Sequence, residues 1–297
     1  MEYNKPPLTI AQQLQKFKER GLTIEDEDRA KRYLSFISYY RLRAYTYPYQ
    51  KNDSENKPFE GNVTFDMILD TYLFDRELRL LIFDAIERIE IAFRAQIINH
   101  FSIKQGSHWF EKPDLFREEE RLERDLAQLD NELQRSQEVF IKHYNNKYSE
   151  PERPPAWMCF ETSTLGLLSK MYENYKMSNE KKVVSGNFNL HPFVLESWMH
   201  ALSVTRNICA HHGRLWNRSI PASPKRLKDP KQTWLENTNV ATNKVYMVMS
   251  CIIYLLDSII PTHHIRTKFK ELLEKYPVIP EAKMGFPTDW QNEPLWQ

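Results

Sequence analysis

Apolar residues recur along most of this chain at steps of three and four, the spacing of one face of an α-helix. The longest such stretch is 65–101, where Ile68, Tyr72, Leu78, Ile82, Ile86, Ile89, Phe93 and Ile97 keep the period. Asp66, Asp70, Asp75, Arg79, Glu87 and Arg94 are among its polar positions. No glycine or proline interrupts it, so the pattern predicts one long helix or two nearly continuous ones. Ahead of it, Thr9 is placed as the N-cap of a helix through Leu14 and Phe17. Gly21 ends that helix. The acids Glu25 to Asp28 suit the positive end of a second helix, which runs to Tyr40. Residues 50–62 read as a polar connector.

Beyond residue 105 the pattern thins. From about 111 to 150 charge is dense and leucines are sparse, which predicts one or two exposed helices projecting from the core. Pro151, Pro154 and Pro155 break the chain. A helix is expected over Trp157–Tyr175, then a loop over 178–190. Pro192 sits where a helix starts, since its missing N–H costs nothing there. That helix covers Phe193–His212. A proline-marked loop follows, Trp234–Ile260 is mostly helical, and a short helix covers 263–275. The expected fold is all-α. An N-terminal helical segment spans 1–62, a helical domain with the charged insertion spans 63–276, and an irregular tail spans 277–297.

Composition narrows the setting. Only 7 of 297 residues are glycine, which fits long uninterrupted helices. Cys159, Cys209 and Cys251 are an odd number without a CxxC pair, against a disulfide framework or zinc site and for a reducing cytosol. The first residues lack an apolar signal core. Val245–Ile260 is 16 residues long and contains Ser250 and Asp257. A bilayer needs roughly 20 apolar residues, so a buried helix is expected there. The expectation is a cytoplasmic protein without membrane, metal or cofactor.

Candidate chemistry concentrates in Arg206-Asn-Ile-Cys-Ala-His211-His212-Gly-Arg-Leu-Trp-Asn-Arg218. Arginine offers phosphate a permanent planar fork of donors, and histidine exchanges a proton near neutral pH. On a regular helix Glu196, His200, Ser203, Asn207 and His211 lie within about 80° of one another, one polar stripe. Arg206 lies about 140° from His211, so spacing alone makes no dyad. Asn207 is placed to orient the imidazole or touch phosphate. The bland rival pairs Arg206 with a carboxylate such as Glu87 or Glu90 and leaves the histidines in a polar interface. Glu196 and His200 are accessory candidates.

Net charge is only +1, but Arg206 to Lys231 holds seven basic residues against Asp229 alone. Arg214, Arg218, Lys225, Arg226 and Lys228 therefore form a candidate RNA-binding stretch beside the histidines. A second basic run, with Arg41 and Arg43, is interleaved with tyrosines. Aromatics there can stack on unpaired bases, although packing is the commoner use. No HExxH or cysteine cluster offers a metal site.

Arg206-Asn207-x-x-Ala210-His211 resembles the RxxxxH signature of HEPN-domain ribonucleases. The longer string through Arg218 resembles the Abi-like (AbiD/AbiF-type) abortive infection proteins of bacteria. Lys5-Pro-Pro-Leu-Thr, Tyr39-Tyr40-Arg41-Leu42, Phe74-Asp75-Arg76-Glu77-Leu78-Arg79, Glu87-Arg88-Ile89-Glu90, Pro155-Ala-Trp157-Met158-Cys-Phe-Glu161 and Leu165-Gly166 carry the same resemblance over about residues 5–260. It implies a HEPN-like helical bundle and a homodimer with RxxxxH elements facing across a cleft. It also implies metal-independent RNA cleavage in defence against phage, with some relatives associated with small noncoding RNAs. Arg206 and His211 would be catalytic and Asn207 supporting. His212 is an alternative to His211, because the family spacing tolerates more than four intervening residues. Two other classes stay open: a non-catalytic RNA-binding module that holds a structured small RNA, and a helical protein-interaction scaffold.

Overall fold

The computed structural model describes residues 2, 6–51, 54 and 56–297. Lys5, the first residue of the family-like segments, lies outside them. Twelve α-helices and no strand occur among the described residues. They are α1 (Ile10–Glu19), α2 (Glu27–Ile37), α3 (Tyr39–Thr46), α4 (Phe65–Gln105), α5 (Glu119–Arg135), α6 (Val139–Lys147), α7 (Ala156–Thr162), α8 (Leu165–Asn174), α9 (Asn179–Gly186), α10 (Pro192–Ala210), α11 (Val245–Ile259) and α12 (Ile265–Lys275).

The 65–101 period folds as one rod. α4 has 41 residues, about 60 Å at 1.5 Å per residue. Thr64 caps it, its hydroxyl accepting from Met67 N–H at 3.2 Å. Its apolar stripe is buried from Phe65 to Phe101. α3, α7, α9, α10, α11 and α12 all pack on it. Asp75 and Arg79, placed by sequence among the polar positions, are buried on that stripe. α11 is the other interior element: from Val245 to Leu256 every residue is buried, as befits a helix apolar all round. No described helix is long and apolar enough to cross a membrane.

Local signals hold at α1. Thr9 and Gln12 form a reciprocal capping box, with Thr9 N–H to Gln12 Oε1 at 2.8 Å and Gln12 N–H to Thr9 Oγ1 at 3.3 Å. Gly21 follows the helix in the left-handed region, φ +87.

Four expectations give way. The second helix, expected to run to Tyr40, ends at Ile37, because Ser38 turns into the left-handed region at φ 68 and caps α3. The stretch 157–175 is two helices, because Thr164 caps a new start with Leu167 N–H. Arg94 holds the break, donating to Ser163 O at 2.9 Å while paired with Glu90 at 2.7 Å. Residues 179–186, expected as loop, are α9, because Ser178 caps the helix and Lys181 is sunk in the core. Residues 234–244, expected as mostly helical, are irregular, and the helix starts only at Val245.

The charge-rich segment forms α5 and α6. α5 lays Leu122 and Leu129 against α7 and α8 and keeps most of its charges outward. The tail has no α-helix but is no appendage. Trp290, Leu295 and Trp296 are at most 1% exposed, and the two tryptophans close an aromatic cluster with Tyr246, Phe269 and Phe286.

Candidate functional site

α10 carries the Arg–His segment and packs on α4, α8 and α9. It begins with Pro192 at its first position and ends at Ala210, two residues before the expected end. His211 is its C-cap, φ −88 and ψ 16. His212 N–H then bonds Cys209 O at 3.0 Å and Gly213 N–H bonds Ile208 O at 2.8 Å. These two reversed bonds make a Schellman ending. Its left-handed position, usually glycine, is His212 at φ 56. The regular-helix angle therefore does not carry over to His212. Gly213 is favoured for a different reason, since a Cβ there would crowd Ile208 Cγ2 and Ile208 O at 3.2 Å. A non-glycine residue in the left-handed region costs on the order of 1 kcal/mol. His212→Gly is expected to raise stability by about that much, read as a higher urea midpoint with unchanged slope. A lower midpoint would show that the His212 side chain holds the turn.

The segment after this turn is clamped from beneath. Asp75 accepts Leu215 N–H at 3.0 Å, Trp216 N–H at 2.6 Å and the Tyr45 hydroxyl at 2.6 Å. It also pairs with Arg79, and both are almost fully buried. Burial pushes the Asp75 carboxyl above its ordinary value, while Arg79 and these donors pull it back. From α3, Arg41 donates to His212 O at 2.8 Å and Arg214 reaches back to Ala44 O. Trp216, weighed as a base-stacking residue, is fully buried and stacks on Tyr49 at 6.2 Å.

On the outer side, Asn207 and His211 are exposed and Arg206 is half-buried. The Arg206 guanidinium lies over the Phe83 ring, 5.5 Å from its centroid. It shares a cleft of about 350 Å³ with Glu87, Glu90, Arg94 and Glu161. Yet no ion pair to Arg206 forms among the described residues; its one polar contact is Asn207 Oδ1 at 3.5 Å. Glu90 is engaged by Arg94 instead. No described residue hydrogen-bonds the His211 ring, and no bond joins it to Arg206. One end of α10 thus presents a guanidinium without an ion pair and an imidazole without a hydrogen bond among the described residues.

The rest of the polar stripe has other tasks. Glu196 is buried, pairing with Lys181 at 2.6 Å and Arg117 at 3.0 Å. Lys181 also donates to Tyr175 O at 2.6 Å and Glu173 O at 3.1 Å. Burial pulls its ammonium down to about 8, against the opposing pull of Glu196. Ser203 turns back on His200 O at 2.8 Å. His200 is exposed in a separate cleft with Asp125 and Lys170. It sits eleven residues, about 16 Å along the helix, from His211.

The basic stretch does not stay beside the histidines. After Gly213 the chain runs back along α10, so that Lys225 N–H meets Ser197 Oγ at 2.9 Å and Trp198 Nε1 donates to Lys225 O at 2.8 Å. Arg41, Arg214 and Arg218 stand at the C-terminal end, with Arg218 donating to Arg214 O at 3.3 Å. Burial pulls the Arg214 guanidinium below its ordinary value. Arg43 packs over Tyr47 at 5.4 Å. Lys225, Arg226 and Lys228 stand near the N-terminal end. Lys225 lies over Phe193 at 5.8 Å, and Arg226 ties down the loop through Thr238 O and Val240 O. Lys228 is exposed, without a partner among the described residues.

The sequence reading missed Asp75, Arg79 and Tyr45 as supports of the site. The available signal was an Asp–Arg pair four residues apart, in step with Ile82, Ile86 and Ile89. No described group of three or more His, Cys, Asp or Glu residues is placed to hold a metal ion. The three cysteines are free and buried, and burial raises the Cys159 and Cys209 thiols to about 12.

Residues 32–217, more than half of the chain and inclusive of the whole Arg–His turn, match the model of a family described as Abi-like protein. No curated protein and no solved structure matches the chain.

Proposed function

The chain belongs to the Abi-like protein family, and from that premise we propose that it is an anti-phage abortive-infection effector that cleaves RNA without a metal. One observation carries the reading. Arg206, without an ion pair, and His211, without a ring hydrogen bond among the described residues, stand at one end of α10, just before a segment, Leu215–Trp216, that a buried Asp75–Arg79–Tyr45 network holds in place.

In the proposed reaction a ribose 2′-hydroxyl attacks the adjacent phosphorus. His211 removes its proton, and the leaving 5′-oxygen takes a proton from the second histidine of a homodimer. The products are a cyclic phosphate and a 5′-hydroxyl. Arg206 meets the charge growing on the phosphoryl oxygens, a preorganised electrostatic role. The Phe83 ring beneath it limits the directions the guanidinium takes. Asn207 accepts from Arg206 at 3.5 Å and stands four residues before His211 on α10. Arg41, exposed and tied to the His212 carbonyl, is a cation beside the histidines for an adjoining phosphate. A HEPN-type pairing of two copies would supply both acid and base from one motif.

The test uses the full chain, end-labelled RNA and excess chelator. Cleavage leaving cyclic-phosphate and 5′-hydroxyl ends, with the matching DNA intact, is the expected result. RNA that is retained in a salt-sensitive way but never cut would instead favour a binding module for a structured small RNA.

A further inference from the structure

A second site stands at the opposite end of α10. A cavity of about 570 Å³ opens between the end of α9, the start of α10 and the returning segment 226–231. That volume lies within the roughly 300–1,000 Å³ range of small-molecule sites. The chain as a whole is balanced, with 41 basic and 40 acidic residues. The cavity is not: Lys182, Arg226, Lys228 and Lys231 line it against Asp229 alone. Among the described residues, Lys182, Lys228 and Lys231 have no side-chain hydrogen bond or ion pair, so three ammonium groups are free to meet a ligand. Like charges gathered around one concavity repel one another and favour an anion within it.

The cavity also has an apolar side, made by Leu190, Pro192, Val194 and Leu227. Leu190 and Pro192 are buried behind it, and the half-buried Val194 and Leu227 give the surface a ligand would meet. A simple inorganic anion has no use for such a wall. A ligand with a flat apolar group attached to phosphate uses both. The helix end adds its dipole but few donors, because Pro192 has no N–H and His191 already accepts Phe193 N–H and binds Val194 N–H through its carbonyl. The lysines must therefore do the recognition.

We propose that this cavity binds a nucleoside 5′-phosphate, its phosphate met by Lys182, Lys228 and Lys231 and its base set against Leu227 and Val194. Two sources carry that chemistry: a free nucleotide, or the 5′-phosphorylated end of an RNA. The site is distinct from the Arg206–His211 end. Arg206 lies fourteen positions after Pro192 on α10, about 21 Å along it. The proposal does not rest on RNA cleavage, and either can fail alone.

The experiment titrates the full chain with a fluorescent adenosine diphosphate, then competes it with unlabelled adenosine diphosphate, adenosine and pyrophosphate. Saturable binding is expected, at least about tenfold tighter than that of either fragment, as the sum of two contacts requires. K182E/K228E is expected to weaken it at least about tenfold, with an unchanged melting temperature because both side chains are exposed. Leu227→Trp, which fills the apolar side, tests the base contact without touching charge. Competition by 5′-phosphorylated against 5′-hydroxyl trinucleotides assigns the source, and displacement by either phosphate-bearing ligand supports the site. The proposal is overturned if no probe binds at roughly millimolar concentration, or if both folded variants bind as the parent does.

Discussion

His211→Ala is expected to reduce RNA cleavage by about 10²–10⁴-fold, the usual contribution of a positioned proton-transfer group. The imidazole is exposed and bonded to nothing described, so the variant should unfold within about 0.5 kcal/mol of the parent. Arg206→Ala is expected to cost about 10²–10³-fold, as does loss of one preorganised charge-stabilising donor. Arg206→Lys keeps the charge but not the fork, and its activity should fall well short of the parent. The measurement is single-turnover cleavage of labelled RNA in chelator, with the unfolding midpoint of each variant alongside. Equal rates in parent and His211→Ala would remove His211 from the chemistry, and His212→Ala would then be the decisive comparison. Activity lost in both, with RNA retention unchanged, separates cleavage from binding.

Asp75→Ala should destabilise the protein by about 3–5 kcal/mol, because it leaves Arg79 buried without its counter-charge. Two backbone N–H groups, of Leu215 and Trp216, lose their acceptor at the same time. A loss this large is a substantial part of a typical folding free energy of about 5–15 kcal/mol. Asp75→Asn keeps an acceptor but not the charge, and is expected to fall between parent and alanine variant. Urea unfolding followed by tryptophan fluorescence reads both. A change under about 1 kcal/mol for Asp75→Ala would mean that the clamp is dispensable. Because the network seats the turn that bears His211 and His212, cleavage should fall further than the folded fraction does. Fold and site are one mechanical unit at this point: the residues that bury the charge also hold the turn.

The family-like segments now have physical reasons. Phe74-Asp75-Arg76-Glu77-Leu78-Arg79 brings the buried pair, and Tyr39-Tyr40-Arg41-Leu42 brings the cation that holds the His212 carbonyl. Glu87-Arg88-Ile89-Glu90 lines the cleft beside Arg206 and engages Arg94. Pro155 to Glu161 supplies the N-cap and most of α7, whose C-cap Ser163 is fastened by Arg94. As a string these residues were a resemblance; in space, most of them surround the last turn of α10.

By itself the sequence determined what neighbours within four residues decide. The period of α4, the cap at Thr9, the glycine after α1 and the proline at the start of α10 were all legible, because helix hydrogen bonds and caps act over that range. It also presented Arg206, Asn207 and His211 as a group. Tertiary structure alone decided which polar groups are buried and where the chain returns. Asp75 became the seat of the turn through bonds to residues 140 and 141 positions away, and Glu196 became the partner of Lys181 instead of part of an open stripe. The basic stretch was divided between the two ends of α10 by a path that no local rule encodes. A buried charge is settled by the partner that satisfies it, and that partner is close only once the chain has folded.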